Sequence, residues 1–245
     1  MAATRPGRSM PRRDGWWIVT ALAFVVVLAA LVWPLGEVLL TSLTGEGGRL
    51  VLADNYRRVV GHRYYYASVI NSLVLSGLAT LGAVLLGTPL ALAVARYPVP
   101  GKAFVRTAAN LALLSPPFIG AYSWVVLFGR NGLVNHWLEP AGWRLPSIYG
   151  YPGVLLVFVV QYFPFVFLLV SGALAAVDQS IEDAALSLGS PPARTFRTAI
   201  LPVIAPSLTA GALLVFMATM ADFGTPMLIG EGLRTLPTLM YGEFI

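Results

Sequence analysis

Long apolar runs alternate with short polar stretches along this chain, and the runs set its architecture. A helix needs about 20 mostly apolar residues to cross a bilayer. Five segments qualify: Trp16 to Leu40, Asn71 to Ala95, Ala108 to Phe128, Gly153 to Val177 and Val203 to Ile229. Trp16, Trp17 and Trp33 sit where interfacial aromatics belong. The first run also has the look of a signal peptide, preceded by Arg12 and Arg13. No small-residue cleavage site follows it; Pro34 and Glu37 do, so it is read as a retained helix. The pattern predicts an all-α integral membrane protein, a polytopic helical bundle behind a basic tail over residues 1–15.

The longest polar interruption between the later runs is Asp178 to Pro202, and its residues predict two short helices joined at a glycine. Ser180 suits the first N-cap, with Glu182 and Asp183 in the opening turn where negative charge suits the helix dipole. Ala184, Ala185, Leu186 and Leu188 continue the pattern, and Gly189 supplies a left-handed C′ residue. Ser190 is the expected cap of the second helix, with Pro191 and Pro192 in its first turn. Arg194 and Arg197 then share a face, and Leu201-Pro202 closes the segment.

Composition narrows the function. Hydrophobic residues make up 57% of the chain and charged residues 11%, with a mean hydropathy of +0.76, against roughly 25% charged in soluble domains. There is no cysteine, and the two histidines, His62 and His136, lie in loops. Thiolate chemistry and a haem-binding bundle are therefore excluded, and no cofactor or metal site is expected. The net charge of +5 comes from basic residues that flank apolar runs, where they set topology rather than bind nucleic acid. Arg5, Arg8, Arg12 and Arg13 precede the first run, and Arg96, Lys102 and Arg106 follow the second. Both groups belong inside, which places the Asp178–Pro202 loop inside too, although Arg57, Arg58 and Arg63 in the first outer loop reduce the asymmetry.

The loop resembles the "EAA" coupling loop in permease subunits of binding-protein-dependent ABC importers. That pattern runs Glu-Ala-Ala, three residues, Gly, nine residues, Ile, one residue, Leu-Pro. Alignment on Gly189 places Asp183, Ala184 and Ala185 on the first triplet and Leu201-Pro202 on the last pair. Asp183 stands where Glu is usual, beside Glu182, and Ala199 stands where Ile is usual. The resemblance implies an ABC importer permease bundle in a bacterial inner membrane, with its N-terminus inside. It implies a cytoplasmic ATPase dimer gripping the loop, an extracytoplasmic substrate-binding protein, and a second permease half or identical subunit. The chain has no phosphate-cradling Gly-Lys-Ser/Thr loop, so ATP hydrolysis falls to the partner and this chain is not an enzyme. Ser115 to Ala121, Ala221 to Pro226 and Leu236 to Tyr241 resemble the ferric-iron subgroup, which makes ferric iron the expected solute. Polyamine, thiamine and phosphonate uptake are the alternatives. Such permeases carry a sixth helix after the fifth, so Tyr241 to Ile245 read as a linker towards a further span. With a single coupling loop, the chain is at most one half of a duplicated permease.

Polar residues inside the runs are candidate pathway residues. Ser115-Pro116-Pro117 interrupts the third run, and Gln161 and Pro164 lie in the fourth. They form either a gate or packing kinks. Asn71, Asn110 and Gln161 are expected to face the bundle interior. Gly77, Gly82 and Gly87 permit close helix approach, but their spacing of five is not a GxxxG stripe. Asp222 is either a pathway carboxylate or an interfacial one bathed in water. The rival classes are an integral membrane enzyme and an ion-coupled transporter. The first needs converging acids or histidines, and the second has only Asp222 to offer.

Overall fold

The computed structural model describes residues 16–44, 51, 54–178, 180, 184–185 and 187–244. The basic tail, Glu182, Asp183 and Leu186 lie outside the described residues. The chain divides into two units, 1–62 and 63–245. In the first, α1 (Trp16–Leu43) is apolar all round and is followed by α2 (Asp54–Gly61). Asn55 joins them, its side-chain amide donating to the carbonyls of Ser42 and Thr44 at 2.9 and 3.2 Å.

The second unit is built on three long helices: α3 (Arg63–Arg96), α7 (Tyr151–Ala176) and the segment that begins at Pro192 and runs to Ala221. That segment starts as α8 (Pro192–Thr195), widens to a π-helical turn over Phe196–Ile200, and continues as α9 (Leu201–Ala221). The widening has a local reason. Pro202 has no N–H for the carbonyl of Thr198, so the ordinary ladder fails at this point, and the amide of Leu201 reaches back to Phe196 instead.

α7 is the central helix. Val154, Val157, Phe158, Val166, Phe167, Val170 and Leu174 are fully buried along it. Lipid tails are as apolar as leucine, so helices gain little from burial alone and must fit closely. α3 meets this need with a ridge of small residues four apart: Ala79, Ala83, Gly87 and Ala91, all buried. A Cβ at Gly87 would lie 3.0 Å from the Phe163 carbonyl oxygen and 3.1 Å from the Phe167 nitrogen. On α9, one at Gly211 would lie 3.0 Å from the Cα of Val166. Of the glycines spaced by five, Gly82 also meets α7, a Cβ there falling 2.5 Å from Val159 Cγ2, so two of the three permit the close approach and the alanines spaced by four complete it. Gly77 has nothing within 4 Å of its Cβ position.

Two expected spans are broken. The run expected to be continuous from Ala108 to Phe128 forms α4 (Lys102–Leu114) and α5 (Pro117–Phe128), and the chain turns through 114° between α4 and the segment Pro117–Ala141 that α5 begins. Thirteen residues extend only about 20 Å, too short to cross alone. Neither Pro116 nor Pro117 has an N–H to donate, and the residue before a proline resists the α region. Ser115 accordingly sits at φ −74°, ψ 124°. The run expected to reach Ile229 ends instead at Ala221, and α10 (Gly224–Ile229) follows. Pro226 cannot bond the carbonyl of Asp222 and its ring clashes with it, which explains the break at Asp222. Among the described residues four helices are long and apolar enough to cross a membrane, or five if the bent pair counts as one.

Between α5 and α7 lie α6 (Leu133–Leu138) and a short 3₁₀ turn, Glu139–Ala141. The stretch from Tyr241 that reads as a linker instead continues a helix, α11 (Leu236–Phe244). Its first turn docks on α3: the Leu236 amide donates to the buried Ser72 hydroxyl at 2.7 Å, and the Asn71 side chain donates to the Arg234 carbonyl at 3.1 Å.

Gly87→Val should separate α3 from α7, since overpacking a tight contact costs about 1–3 kcal/mol. Gly77→Val should cost much less. Thermal unfolding of the two purified variants in the same detergent checks this, and equal melting temperatures would contradict the packing described.

Candidate functional site

The two broken spans face each other. Phe118, at the start of α5, packs edge-on against Phe223 with ring centroids 5.7 Å apart. A Cβ at Gly224 would meet that Phe118 ring at 3.2 Å. Both breaks leave backbone groups without helical partners, and in a membrane these must be satisfied from within the protein.

Asp222 does much of this. It is 4% exposed and has the extended backbone of a helix N-cap, φ −72°, ψ 112°. Its Oδ1 accepts the amide of Thr225 at 3.0 Å, three residues on, as a capping side chain does. Its Oδ2 accepts the Thr225 hydroxyl at 3.0 Å and the Tyr162 hydroxyl of α7 at 2.8 Å. Asp222 is therefore a buried, three-fold hydrogen-bonded carboxyl group, not an interfacial one bathed in water. Among the described residues no basic side chain forms an ion pair with it.

Beside this cluster lies a cavity of about 280 Å³, bounded by Ser115 and Pro117 at the first break, by Gln161, Tyr162 and Phe165 on α7, and by Asp222. Gln161 approaches α5 over Gly120, whose hydrogen stands where a Cβ would lie 3.1 Å from Gln161 Oε1. That oxygen is buried and has no hydrogen-bond partner. Of the three pathway candidates, Asp222 and Gln161 come together. Asn110 does not join them: it is exposed on α4 and does not line the cavity. Tyr162 and Thr225 were not singled out in the sequence. A signal existed for Tyr162, since a tyrosine at membrane depth needs a partner for its hydroxyl, and Asp222 is the acid in the neighbouring long helix.

The second candidate site is the loop between α7 and α8. Gly189 has φ +78°, a conformation β-branched residues adopt very poorly. The amide of Ser190 reaches back to the carbonyl of Ala185 at 3.0 Å, and that of Leu188 to Ala184 at 3.1 Å. This is the Schellman ending expected of a C′ glycine. The capping details differ from expectation. The Asp178 carboxylate accepts the Ser180 amide at 2.9 Å, which holds the Asp178 carboxyl below the usual carboxylate range. The second helix is capped at Pro191 with no side-chain bond. The prolines supply no early amide, and those of Arg194 and Thr195 both reach the Pro191 carbonyl. The Ser190 hydroxyl, freed from capping, accepts the Thr195 hydroxyl at 3.1 Å. Ala184, Gly189, Arg194, Arg197 and Pro202 are exposed, and Ala185 and Leu201 are half-buried.

Residues 83–244 match the family described as the binding-protein-dependent transport system inner membrane component. A Salmonella typhimurium protein named as a 2-aminoethylphosphonate transport system permease is 29% identical over 234 residues, covering 94% of this chain and 81% of the relative. The ferric transport system permease protein of Actinobacillus pleuropneumoniae is 26% identical over 229 residues, covering 92% of this chain and 33% of the relative. Among solved structures, a bacterial ABC transporter involved in the import of alginate shares the fold with a TM-score of 0.70 at 17% identity, over 96% of this chain and 85% of that one. The apolar spans, the helix-glycine-helix loop and this match agree: the chain belongs to the inner-membrane components of binding-protein-dependent transport systems, as a multi-pass permease of the ABC importer type.

Proposed function

We propose that this chain couples ATP hydrolysis by a cytoplasmic ATPase dimer to the passage of a small polar solute, which an extracytoplasmic binding protein delivers. The observation that carries this reading is the turn at Gly189, whose left-handed backbone joins two short helices between the long helices α7 and α9. A soluble partner that grips the exposed faces of Ala184, Arg194 and Arg197, with the neighbouring Glu182 and Asp183, moves both long helices at once. Ala185 and Leu201, both half-buried, root the loop in the bundle. A second permease half or identical subunit completes the pathway, and the N-terminus lies on the cytoplasmic side.

For the solute, an amine-bearing organic phosphonate stands first and ferric iron second. The relatives' names divide between the two, so the resemblance to iron permeases gives iron no particular support. The phosphonate-named relative is matched over most of its length. Among the described residues no group of three or more His, Cys, Asp or Glu side chains stands together to hold a metal ion.

Gly189→Val should leave membrane insertion intact and strongly reduce ATP-driven uptake into vesicles, because a strained backbone of this kind costs about 1–3 kcal/mol in the docked loop. Normal uptake with normal ATPase binding would contradict the coupling role. A cysteine at Ser190 should react with an impermeant thiol reagent only from the cytoplasmic side, and one at Asn135 only from outside. The chain's lack of native cysteine makes the result clean, and reversed labelling would overturn the orientation.

A further inference from the structure

At the end of α7 far from the Gly189 loop lies a second cavity, of about 430 Å³. It is bounded by Trp124 and Phe128 of α5, by the chain from Leu145 to Ile148, and by the opening turns of α7 as far as Leu156. The Trp124 and Phe128 rings stack at 5.2 Å to form one wall. Apart from the Ser147 hydroxyl and the Trp124 indole nitrogen, the side chains around it are hydrocarbon. At about 100° per residue, Leu156 and Pro152 stand about 140° and 180° round α7 from Gln161. This groove is therefore separate from the cavity between the helix breaks, and a bundle face of this character in a membrane protein is one that hydrocarbon covers.

A polar pocket of about 300 Å³ adjoins it, bounded among others by Arg130, Asn135, Glu139 and Arg144. Two segments of chain pass from one cavity to the other. Phe128 lines the groove and Arg130 the pocket; Leu145 lines the groove and Arg144 the pocket. Asn135 fixes this junction, its side-chain nitrogen donating to the Gly129 carbonyl at 2.9 Å and its oxygen accepting the Leu145 amide at 3.0 Å. The Arg130 guanidinium also lies 5.1 Å from the centre of the Tyr149 ring, one residue beyond the groove-lining Ile148. Arg130 meets Glu231 and Arg144 meets Glu139, each through one terminal nitrogen, and both arginine side chains stay mostly exposed. With five N–H donors on each guanidinium, most remain for another acceptor. Trp137 and Trp143, in the same stretch of chain, are exposed, as indoles at a membrane surface are.

We infer that the groove and the pocket together bind one phospholipid from the leaflet on that side. An acyl chain lies in the groove between α5 and α7, and the phosphodiester rests on the guanidinium groups of Arg130 and Arg144. An apolar slot that opens beside two arginines, within a tryptophan-bearing stretch, has the order of a phospholipid from tail to head. Guanidinium is the side chain best shaped to hold a phosphate through paired donors, and basic pockets beside spans are where lipid head groups are recognised. A second permease half that shares the pathway would meet the Asp222 side of α7 instead. The bound chain has a mechanical consequence: it joins the outer part of α5, the second limb of the broken span, to the start of α7.

The test titrates lipid onto the full chain, purified with the partners that assemble with it and stripped of lipid in detergent, and counts bound lipid by native mass spectrometry. Dioleoylphosphatidylglycerol is compared with dioleoylglycerol, which has the same tails and no phosphate. The expected result is one saturable phosphatidylglycerol site per copy of this chain and weaker dioleoylglycerol binding. The double variant Arg130→Gln/Arg144→Gln should lose about tenfold or more in phosphatidylglycerol affinity, the scale of a hydrogen bond between charged groups. Leu156→Trp fills the groove and should remove the site, whereas Leu85→Trp, at an exposed position of α3, should leave it. Arg130 also holds Glu231, so if the arginine variant fails to assemble, Leu156→Trp against Leu85→Trp decides. Equal binding of the two lipids, or a lipid count that Leu156→Trp leaves unchanged, would overturn the site. So would an assembled complex that binds no lipid saturably, the result expected if a second permease half covers the groove.

Discussion

In hydrocarbon a backbone amide or carbonyl without a partner costs several kcal/mol, so a helix that breaks inside a membrane must have its loose ends gathered by something in the protein. Here two helices break opposite one another, at Ser115-Pro116-Pro117 and at Asp222-Phe223-Gly224, and the Asp222 carboxyl group is the collector. It caps α10 through the Thr225 amide and reaches across to α7 through Tyr162. Without it the second break would expose an uncapped helix start, and the Tyr162 hydroxyl would be stranded in the interior. The close packing of α3, α7 and α9, with Gly87 and Gly211 against the α7 backbone, depends on those helices holding the register this latch fixes.

The same arrangement gives the permease its mechanical logic. α7 and α9 leave the Gly189 loop at one end and meet again at the Tyr162–Asp222 hydrogen bond. Between those points they are packed at backbone distance, so neither slides without the other. At the loop end, the π-helical turn at Phe196–Ile200 widens the joint between the gripped helix and α9. α4 and the start of α5, on either side of the bend, pack on this rigid pair and line the cavity beside it. A stiff core with a broken helix pair at its flank is the division of labour a gated pathway needs.

The spans were legible in the sequence because apolar runs of sufficient length have one use in a chain with so few charges. Gly189 was legible because a positive φ is a demand on one residue type, so its spacing from Asp183 and Leu201-Pro202 carried the loop. The breaks were only half legible. Proline announces a disturbance, but whether the helix kinks or stops depends on who satisfies the freed groups. At Asp222 that depended on Tyr162 and Thr225, distant or unremarked in the sequence. The α3 interface was legible in part: Gly82 and Gly87 do meet α7 closely, whereas the buried Ala79, Ala83 and Ala91 that complete the contact carry no glycine signal. Asn110 was selected for its polarity alone, and polarity does not say which face of α4 it occupies. The solute is the least legible feature, because the sequence resemblance pointed to iron and the matched relatives' names are divided.

The latch is tested most directly by a double-mutant cycle between Tyr162→Phe and Asp222→Ala, read as the unfolding free energy of the assembled protein in bilayer mimetics. Hydrogen bonds between membrane helices give coupling energies of about 0.6 kcal/mol on average and up to about 1.7, and this one, made to a buried carboxyl group, belongs at the upper end. Tyr162→Phe should therefore destabilise the native protein by about 1 kcal/mol or more and have almost no effect once Asp222 is alanine. An equal cost in both backgrounds would show that the two residues act independently and that the breaks are held together by something else.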